Sequence, residues 1–302
     1  IYTDFAGIMM HHLIINEKHM KGKKLKKINL VKKALDGAGI SYDLHLTQYK
    51  GHATEIVKEL TSDGGKNVIV ACGGDGTLHE ILNGFVDFEN NSLALIPIGT
   101  GNDFAAGAGI PDNTRKAVDV IINGAPRPVD YIQLSSGLRS INAVGMGIDV
   151  DILKRVYSGT NAKKSKYLNS LIVCLAKFKS YDFTVEYDGK QSSHHGLIAA
   201  LGNGKQFGGG IKLFNGAKVD DGYLNLVIAD FISKPKIVGA FAKLMAGKPE
   251  KIKQITVAKV KAAAFTYHGD SFAIQADGEL YENMPLDAHI ESGKLKFYLP
   301  QK

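Results

Sequence analysis

Val68-Ile69-Val70-Ala71 runs straight into Cys72-Gly73-Gly74-Asp75-Gly76-Thr77, after which Leu78, Ile81, Leu82 and Phe85 recur at helical spacing. Strand, glycine loop and helix in that order leave few folds open. A short, wholly apolar strand belongs inside a sheet covered on both faces, and the helix that follows it is a crossover in a parallel α/β arrangement. The glycines let the backbone turn tightly and bring bare N–H groups against a phosphate, while the helix N-terminus adds positive potential. A type I′ hairpin would explain Asp75-Gly76 alone, but not the helical stripe after it. Asp75 stands at the loop tip, where a carboxylate can hold a metal ion that bridges phosphates. No Walker A pattern and no complete G-x-G-x-x-G occurs, so neither a P-loop nor a Rossmann dinucleotide fold is indicated.

The same alternation extends from His12 to about Asn123. Leu13-Ile14-Ile15, Tyr42 to Leu46, Val68 to Ala71 and Leu93 to Ile98 read as strands. Leu25, Ile28, Val31 and Leu35 share one helical stripe, and Ile56, Val57 and Leu60 share another. Gly124-Ala125-Pro126-Arg127-Pro128 then breaks the pattern, since two prolines this close suit neither a helix interior nor a central strand. Beyond it, Phe183 to Tyr187, Leu197 to Leu201, Leu224 to Ile228, Ile255 to Val260, Phe272 to Gln275 and Lys294 to Leu299 read as strands with Asp-Gly turns such as Asp188-Gly189. Two helices interrupt them, one carrying Leu168, Leu171, Ile172 and Leu175, the other Ile237, Phe241, Leu244 and Met245. The expected fold class is an α/β domain with a parallel sheet over residues 9–125, followed by a mostly β, sandwich-like domain over 126–302, whose final strand is free to return to the first domain. With 302 residues the chain is long enough for two cores.

Composition narrows the setting. A net charge of +7 and a sequence pI near 9.1 favour phosphate-bearing or anionic-membrane partners. Cys72 and Cys174 are the only cysteines and are too far apart for a thiol metal motif, which fits a reducing, cytoplasmic setting. No apolar run approaches the roughly 18 residues of a transmembrane helix. Residues 1–8 precede Met9-Met10 and read as leader or appended sequence without the features of a secretory signal.

A second loop repeats the first: Leu93-Ala94-Leu95-Ile96-Pro97-Ile98 ends in Gly99-Thr100-Gly101-Asn102-Asp103, and Phe104 begins a helical segment. Two such loops at the carboxyl ends of parallel strands face one crevice. Together, Gly73 to Thr77 and Pro97 to Ala105 resemble the diacylglycerol kinase catalytic-domain family, which includes bacterial lipid kinases and sphingosine and ceramide kinases. Asn203-Gly204-Lys205-Gln206-Phe207-Gly208-Gly209-Gly210, Asp220-Asp221-Gly222-Tyr223-Leu224 and Gln275-Ala276-Asp277-Gly278-Glu279 follow in the family's order, so the resemblance covers nearly the whole chain.

The resemblance implies a fold like that of NAD kinases and diacylglycerol kinases, and a site that binds ATP through Gly73, Gly74, Asp75, Gly76, Thr77 and Glu80, with Thr100 on the second loop, Thr47 after the second strand and Asn16 after the first. It implies Glu279 as the proton acceptor. It further implies a supporting Mg2+ held by the Asp221 carboxylate and the backbone carbonyls of Lys218 and Tyr223. Asn16-Glu17-Lys18-His19-Met20-Lys21-Gly22-Lys23 departs from the family by lacking a proline and the first glycine, and His79 stands where Asn is frequent.

The reading is an ATP-dependent lipid kinase with its active site between the domains. ATP lies across the glycine loops, Mg2+ near Asp75 neutralises phosphate charge, and Glu279 takes the proton of a lipid hydroxyl as it attacks the γ-phosphate. Diacylglycerol or a related lipid alcohol is the expected acceptor at a membrane surface, with the enzyme peripheral at its inner face and a homodimer left open. The alternatives are an NAD kinase-like enzyme, which shares the first loop, and an idle lipid- or nucleotide-binding protein. Eight lysines between Lys18 and Lys33 read as a solvated helix face before they read as a lipid contact, and Lys163, Lys164, Lys166, Lys177 and Lys179 are similarly ambiguous. His11-His12 and His194-His195 lack metal-ligand spacing and read as structural or solvent-facing. Without a basic-aromatic motif, nucleic acid is not an expected partner.

Overall fold

A computed structural model describes residues 9–157, 173–174, 180–269 and 272–301. The chain forms two compact units, one from residues 1–99, 109–129 and 293–302, the other from 100–108 and 130–292. The observed division differs from a cut near residue 125 in one place, the short segment 100–108, which goes with the second unit; the chain's end goes with the first, the return considered for the final strand.

The first unit is a parallel sheet in the order β2-β1-β3-β4, built from β1 (Met10–Asn16), β2 (Tyr42–Thr47), β3 (Asn67–Gly73) and β4 (Ser92–Pro97). The crossovers are α1 (Gly22–Gly37), α2 (His52–Leu60) and α3 (Asp75–Gly84). The α1 stripe does what its spacing requires: Ile28, Val31 and Leu35 pack with Leu13, Ile15, Val68, Val70 and Cys72, and most of the lysines stand outward on the other faces. β3 and β4 are buried along their whole length.

The second unit carries α4 (Asp103–Ala108), and the chain reaches its main part after α5 (Thr114–Asn123) of the first unit. β5 (Pro126–Leu134) starts where a break was expected. Its first three residues are half-buried or exposed, and there a proline costs no buried ladder bond. β6 (Arg139–Ser140), β7 (Ala143–Gly147) and α6 (Ile148–Tyr157) follow. The antiparallel framework then adds β8 (Tyr181–Tyr187), β9 (Lys190–Gly202), β10 (Leu224–Asp230), α7 (Lys234–Met245), β11 (Ile255–Val260), β12 (Ala262–Tyr267), β13 (Ala273–Ala276), β14 (Glu279–Glu282) and β15 (Leu286–Tyr298). Long β9 organises it, pairing with β8 through its first half and with β7 and β10 through its second. One apolar layer gathers Val144, Phe183, Leu201, Leu226 and Ile274, and another gathers Ile198, Phe207, Phe214 and Val227 beneath α6 and α7. The end of β15 joins β4 in parallel at Phe297 and Leu93. The helix expected over Leu168 to Leu175, and Lys163, Lys164, Lys166, Lys177 and Lys179 around it, lie outside the described residues apart from 173 and 174. Among the described residues no helix is long and apolar enough to cross a membrane.

Candidate active site

Strand register brings the first unit's implied residues to one edge. Asn16 lies opposite Thr47, Ile15 opposite Cys72, and Gly73 opposite Pro97, so the carboxyl ends of all four strands coincide, the place where open parallel sheets take ligands. α3 starts at Asp75 on an extended Gly74 with no side-chain cap, as a phosphate-binding helix start requires. Gly73 must be glycine, because a Cβ there would strike the Thr77 side chain, which folds back against the strand end. Ile98 and Gly99 both donate their N–H to the Gly73 carbonyl, at 2.8 and 3.0 Å, so the second loop is tied to the first.

Two implied nucleotide contacts also have local duties. Glu80 Oε2 accepts from Ala53 N at 3.3 Å, and its carbonyl accepts from Thr54 Oγ1 at 2.8 Å, which holds the first turn of α2. Asn16 Oδ1 accepts from Lys18 N at 2.9 Å and shapes the atypical first loop. In that loop His19 is half-buried against the Cys72 backbone, and burial, followed by the Lys24 charge, pushes its pKa down. Sequence reasoning missed His19 because the loop matches no pattern.

The second unit's motifs interlock. Asp103, buried at the start of α4, accepts from Gly209 N at 2.7 Å and from Gln206 Nε2 at 3.4 Å. Asn203 Nδ2 donates to the carbonyls of Asp130 and Ile141, each at 2.8 Å. Asp130, 1% exposed, receives Gly222 N at 2.7 Å on its carboxylate. Asp277 and Gly278, at φ +50° and +89°, make the tight turn between β13 and β14. That turn is a hairpin, but its Asp is buried, and it accepts from Ser140 Oγ at 2.6 Å and from the backbone N–H groups of Asn142, Ile141 and Ala143 at 2.9, 3.1 and 3.2 Å. Glu279 is the first residue of β14 and is half-buried. Tyr157, at the end of α6, donates its hydroxyl to the Gly278 carbonyl at 2.5 Å; burial, with the Glu279 charge beside it, pushes the phenol up to about 12. No motif pointed to Tyr157.

Between α6, α7 and the sheet of the same unit lies an apolar cavity of about 80 Å³ walled by Ile152, Ile198, Phe207, Ile211, Phe241 and Leu244. Among the described residues that line it, Asp149 is the one ionisable side chain; it is fully buried, with neither carboxyl oxygen within hydrogen-bond geometry of a partner. Burial drives its pKa up to about 7, while nearby N–H groups and Gln275 pull weakly back. Sequence reasoning missed it as well.

The implied Mg2+ position near Asp221 can be tested on its donors. Asp221 Oδ1 accepts from Tyr223 N at 3.2 Å, and Oδ2 is paired with Lys259 Nζ at 2.6 Å. Lys259 and Lys261 both stand over the Tyr223 ring, 5.7 and 5.8 Å from its centre. The Asp221 carboxylate is thus already paired with an ammonium, and a cation held there would have to displace Lys259 Nζ.

The model of the diacylglycerol kinase catalytic domain matches residues 10–134, and that of the YegS C-terminal NAD kinase beta sandwich-like domain matches residues 142–299. A diacylglycerol kinase of Staphylococcus saprophyticus is 30% identical over 284 residues, covering 89% of this chain and 91% of that protein. One from Staphylococcus aureus is 30% identical over 268 residues, covering 85% and 83%. Among solved structures, a diacylglycerol kinase from Bacillus anthracis superposes with a TM-score of 0.73 at 21% identity over 96% of this chain and 97% of that one. An NAD kinase from Archaeoglobus fulgidus in complex with ATP gives 0.50 at 14% identity over 96% and 93%. The fold expected from the sequence is thereby borne out.

Proposed function

The chain belongs to the diacylglycerol kinase family and is a lipid kinase at that level; on that premise we propose that it transfers the γ-phosphate of ATP to the hydroxyl of a lipid alcohol, with diacylglycerol the first candidate. The observation that carries the lipid acceptor is the cavity, whose described lining is apolar but for the carboxyl of Asp149. A dinucleotide acceptor carries phosphates and would be repelled by such walls, whereas an acyl chain gains by leaving water there. Asp149 can exchange a hydrogen bond with a polar group of the lipid.

In the proposed reaction Gly74 to Thr77 hold the phosphates of ATP at the uncapped start of α3. Asp75 would hold the Mg2+ that neutralises β- and γ-phosphate charge. The lipid oxygen forms a bond to the γ-phosphorus, the bond to the bridging oxygen of ADP breaks, and the hydroxyl proton passes to Glu279. Asp277 and Tyr157 set the backbone that presents Glu279.

The test is turnover of ATP by the purified chain with diacylglycerol, phosphatidylglycerol, a sphingoid base and NAD in parallel, the products identified by mass spectrometry. Phosphorylated diacylglycerol, lost in Asp75→Asn, is the expected result. Phosphorylation of NAD alone overturns the lipid acceptor, and turnover of no acceptor overturns the kinase reading.

A further inference from the structure

Three donor atoms meet well away from the glycine loops. His12 on β1 lies opposite Asp43 on β2, and His45 follows two residues later, so all three side chains leave one face of two adjacent parallel strands. His12 Nδ1 stands 3.0 Å from His45 Nε2 and 4.0 Å from Asp43 Oδ2, and the three donors lie within 4.8 Å of one another. Ligands about 2.0 to 2.2 Å from a shared tetrahedral ion stand roughly 3.3 to 3.6 Å apart. The two imidazoles are within a few tenths of an ångström of that spacing. Asp43, with its side chain 61% exposed on the outermost strand, has room to swing in.

The central imidazole is held in the form a ligand needs. Asn67 Nδ2 donates to the Leu60 carbonyl at 2.8 Å, which turns Asn67 Oδ1 toward His12 Nε2 at 3.2 Å. An amide oxygen only accepts, so Nε2 carries the hydrogen and Nδ1 presents its lone pair to His45. Asn67 is itself fixed by its backbone N–H, bonded to Asn91 Oδ1 at 3.1 Å. α2 ends at Leu60, so the negative end of that helix lies beside the cluster, and the Glu59 carboxylate acts on His45 as well.

We propose that His12, Asp43 and His45 form a binding site for a zinc-class divalent cation, completed by water, that staples the outermost strand β2 to β1. Two imidazoles and one carboxylate select zinc and its neighbours over Mg2+ or Ca2+. His12 is four residues before Asn16 along β1, roughly 13 Å of strand at the usual rise, so the ion would be structural and stands or falls independently of the kinase reading.

The experiment titrates Zn2+ into the metal-stripped 302-residue chain in excess Mg2+ by calorimetry, with Co2+ absorption as a coordination readout and thermal melting alongside. One Zn2+ per chain, a tetrahedral-type Co2+ spectrum and a rise in Tm are expected. His45→Ala should weaken binding on the order of 100-fold and Asp43→Asn about tenfold, while His195→Ala changes nothing. Neither variant removes the buried His12, and matched far-UV spectra establish that each has folded. If wild type binds no Zn2+ in excess Mg2+, or His45→Ala binds it as tightly as wild type, the pair is a plain imidazole–imidazole hydrogen bond and the site is overturned.

Discussion

Asp149→Asn should make the protein more stable and poorer at using its lipid, and the gain in stability should grow with pH. The carboxyl ordinarily titrates near 3.8 and is raised by burial to about 7 in the folded chain. The native state therefore keeps its proton to higher pH than the unfolded chain, and stability falls as pH rises from about 4 to about 7, then levels off. At 1.36 kcal/mol per pH unit the cost is about 4 kcal/mol at pH 8 and about 1.5 kcal/mol at pH 5. Asparagine has nearly the same shape and no charge. Because neither Asp149 oxygen makes a hydrogen bond of ordinary geometry, and the nearby N–H groups and Gln275 act only weakly on it, the change removes little that would offset the gain. Urea unfolding followed by far-UV circular dichroism suits a chain without tryptophan. The quantity to read is the difference between variant and wild type at the two pH values, in which other titrating groups cancel; it should grow by about 2.5 kcal/mol from pH 5 to pH 8. The same variant should lose kcat/KM for the lipid with KM for ATP unchanged. A pH-independent difference, or a variant less stable at pH 8, would refute the buried charge as the source of the effect.

Glu279→Gln should lower kcat on the order of 10² to 10⁴-fold, the usual worth of a general base, with KM for ATP unchanged; a loss confined to ATP affinity would move the base elsewhere. Lys259→Met frees the Asp221 carboxylate and should raise Mg2+ affinity about tenfold in calorimetry, and an unchanged affinity would mean that Lys259 does not compete with a cation there. Asp277→Ala strands four donors that converge on one buried carboxylate. It should cost about 3 to 5 kcal/mol and lower Tm on the order of 10 °C, whereas a shift of a degree or two would show those donors finding water.

The first unit was legible because its signals are local. An apolar strand, a loop that only glycine can make and a helical stripe are each written in a few consecutive residues, and the clash between a Cβ at Gly73 and Thr77 explains why the loop reads so clearly. The second unit was legible only in part. β12 is Ala262-Ala263-Ala264 at its start, weak in strand propensity, and β7 contains Gly145, where a Cβ would meet the Asp149 carboxylate and Ala200. The first half of β9 is polar because it is exposed. Pro126 and Pro128 read as a break, yet the strand they open buries its residues only from Val129 onward. Register, which no spacing rule encodes, joins His12 to Asp43 and His45.

The motifs that made the second unit recognisable are mostly its polar framework. Asn203 bonds two carbonyls, Asp130 holds the turn at Gly222, and Asp277 gathers the segment from Ser140 to Ala143. Buried polar groups need particular partners, so they tolerate few replacements and leave a strong pattern in sequence. The wall of the cavity follows another rule: Ile152, Ile198, Ile211 and Leu244 need only be apolar and of suitable size. Chains with the same motifs can thus hold differently shaped cavities, and under the function proposed above the choice of lipid would lie in residues that carry no motif. Asp149 is the exception in that wall, a carboxyl without a partner where an apolar side chain would fold more easily. Its cost in stability is the reason to look for its use in binding, and the opposite signs expected for stability and lipid use in Asp149→Asn separate that use from a mere packing fault.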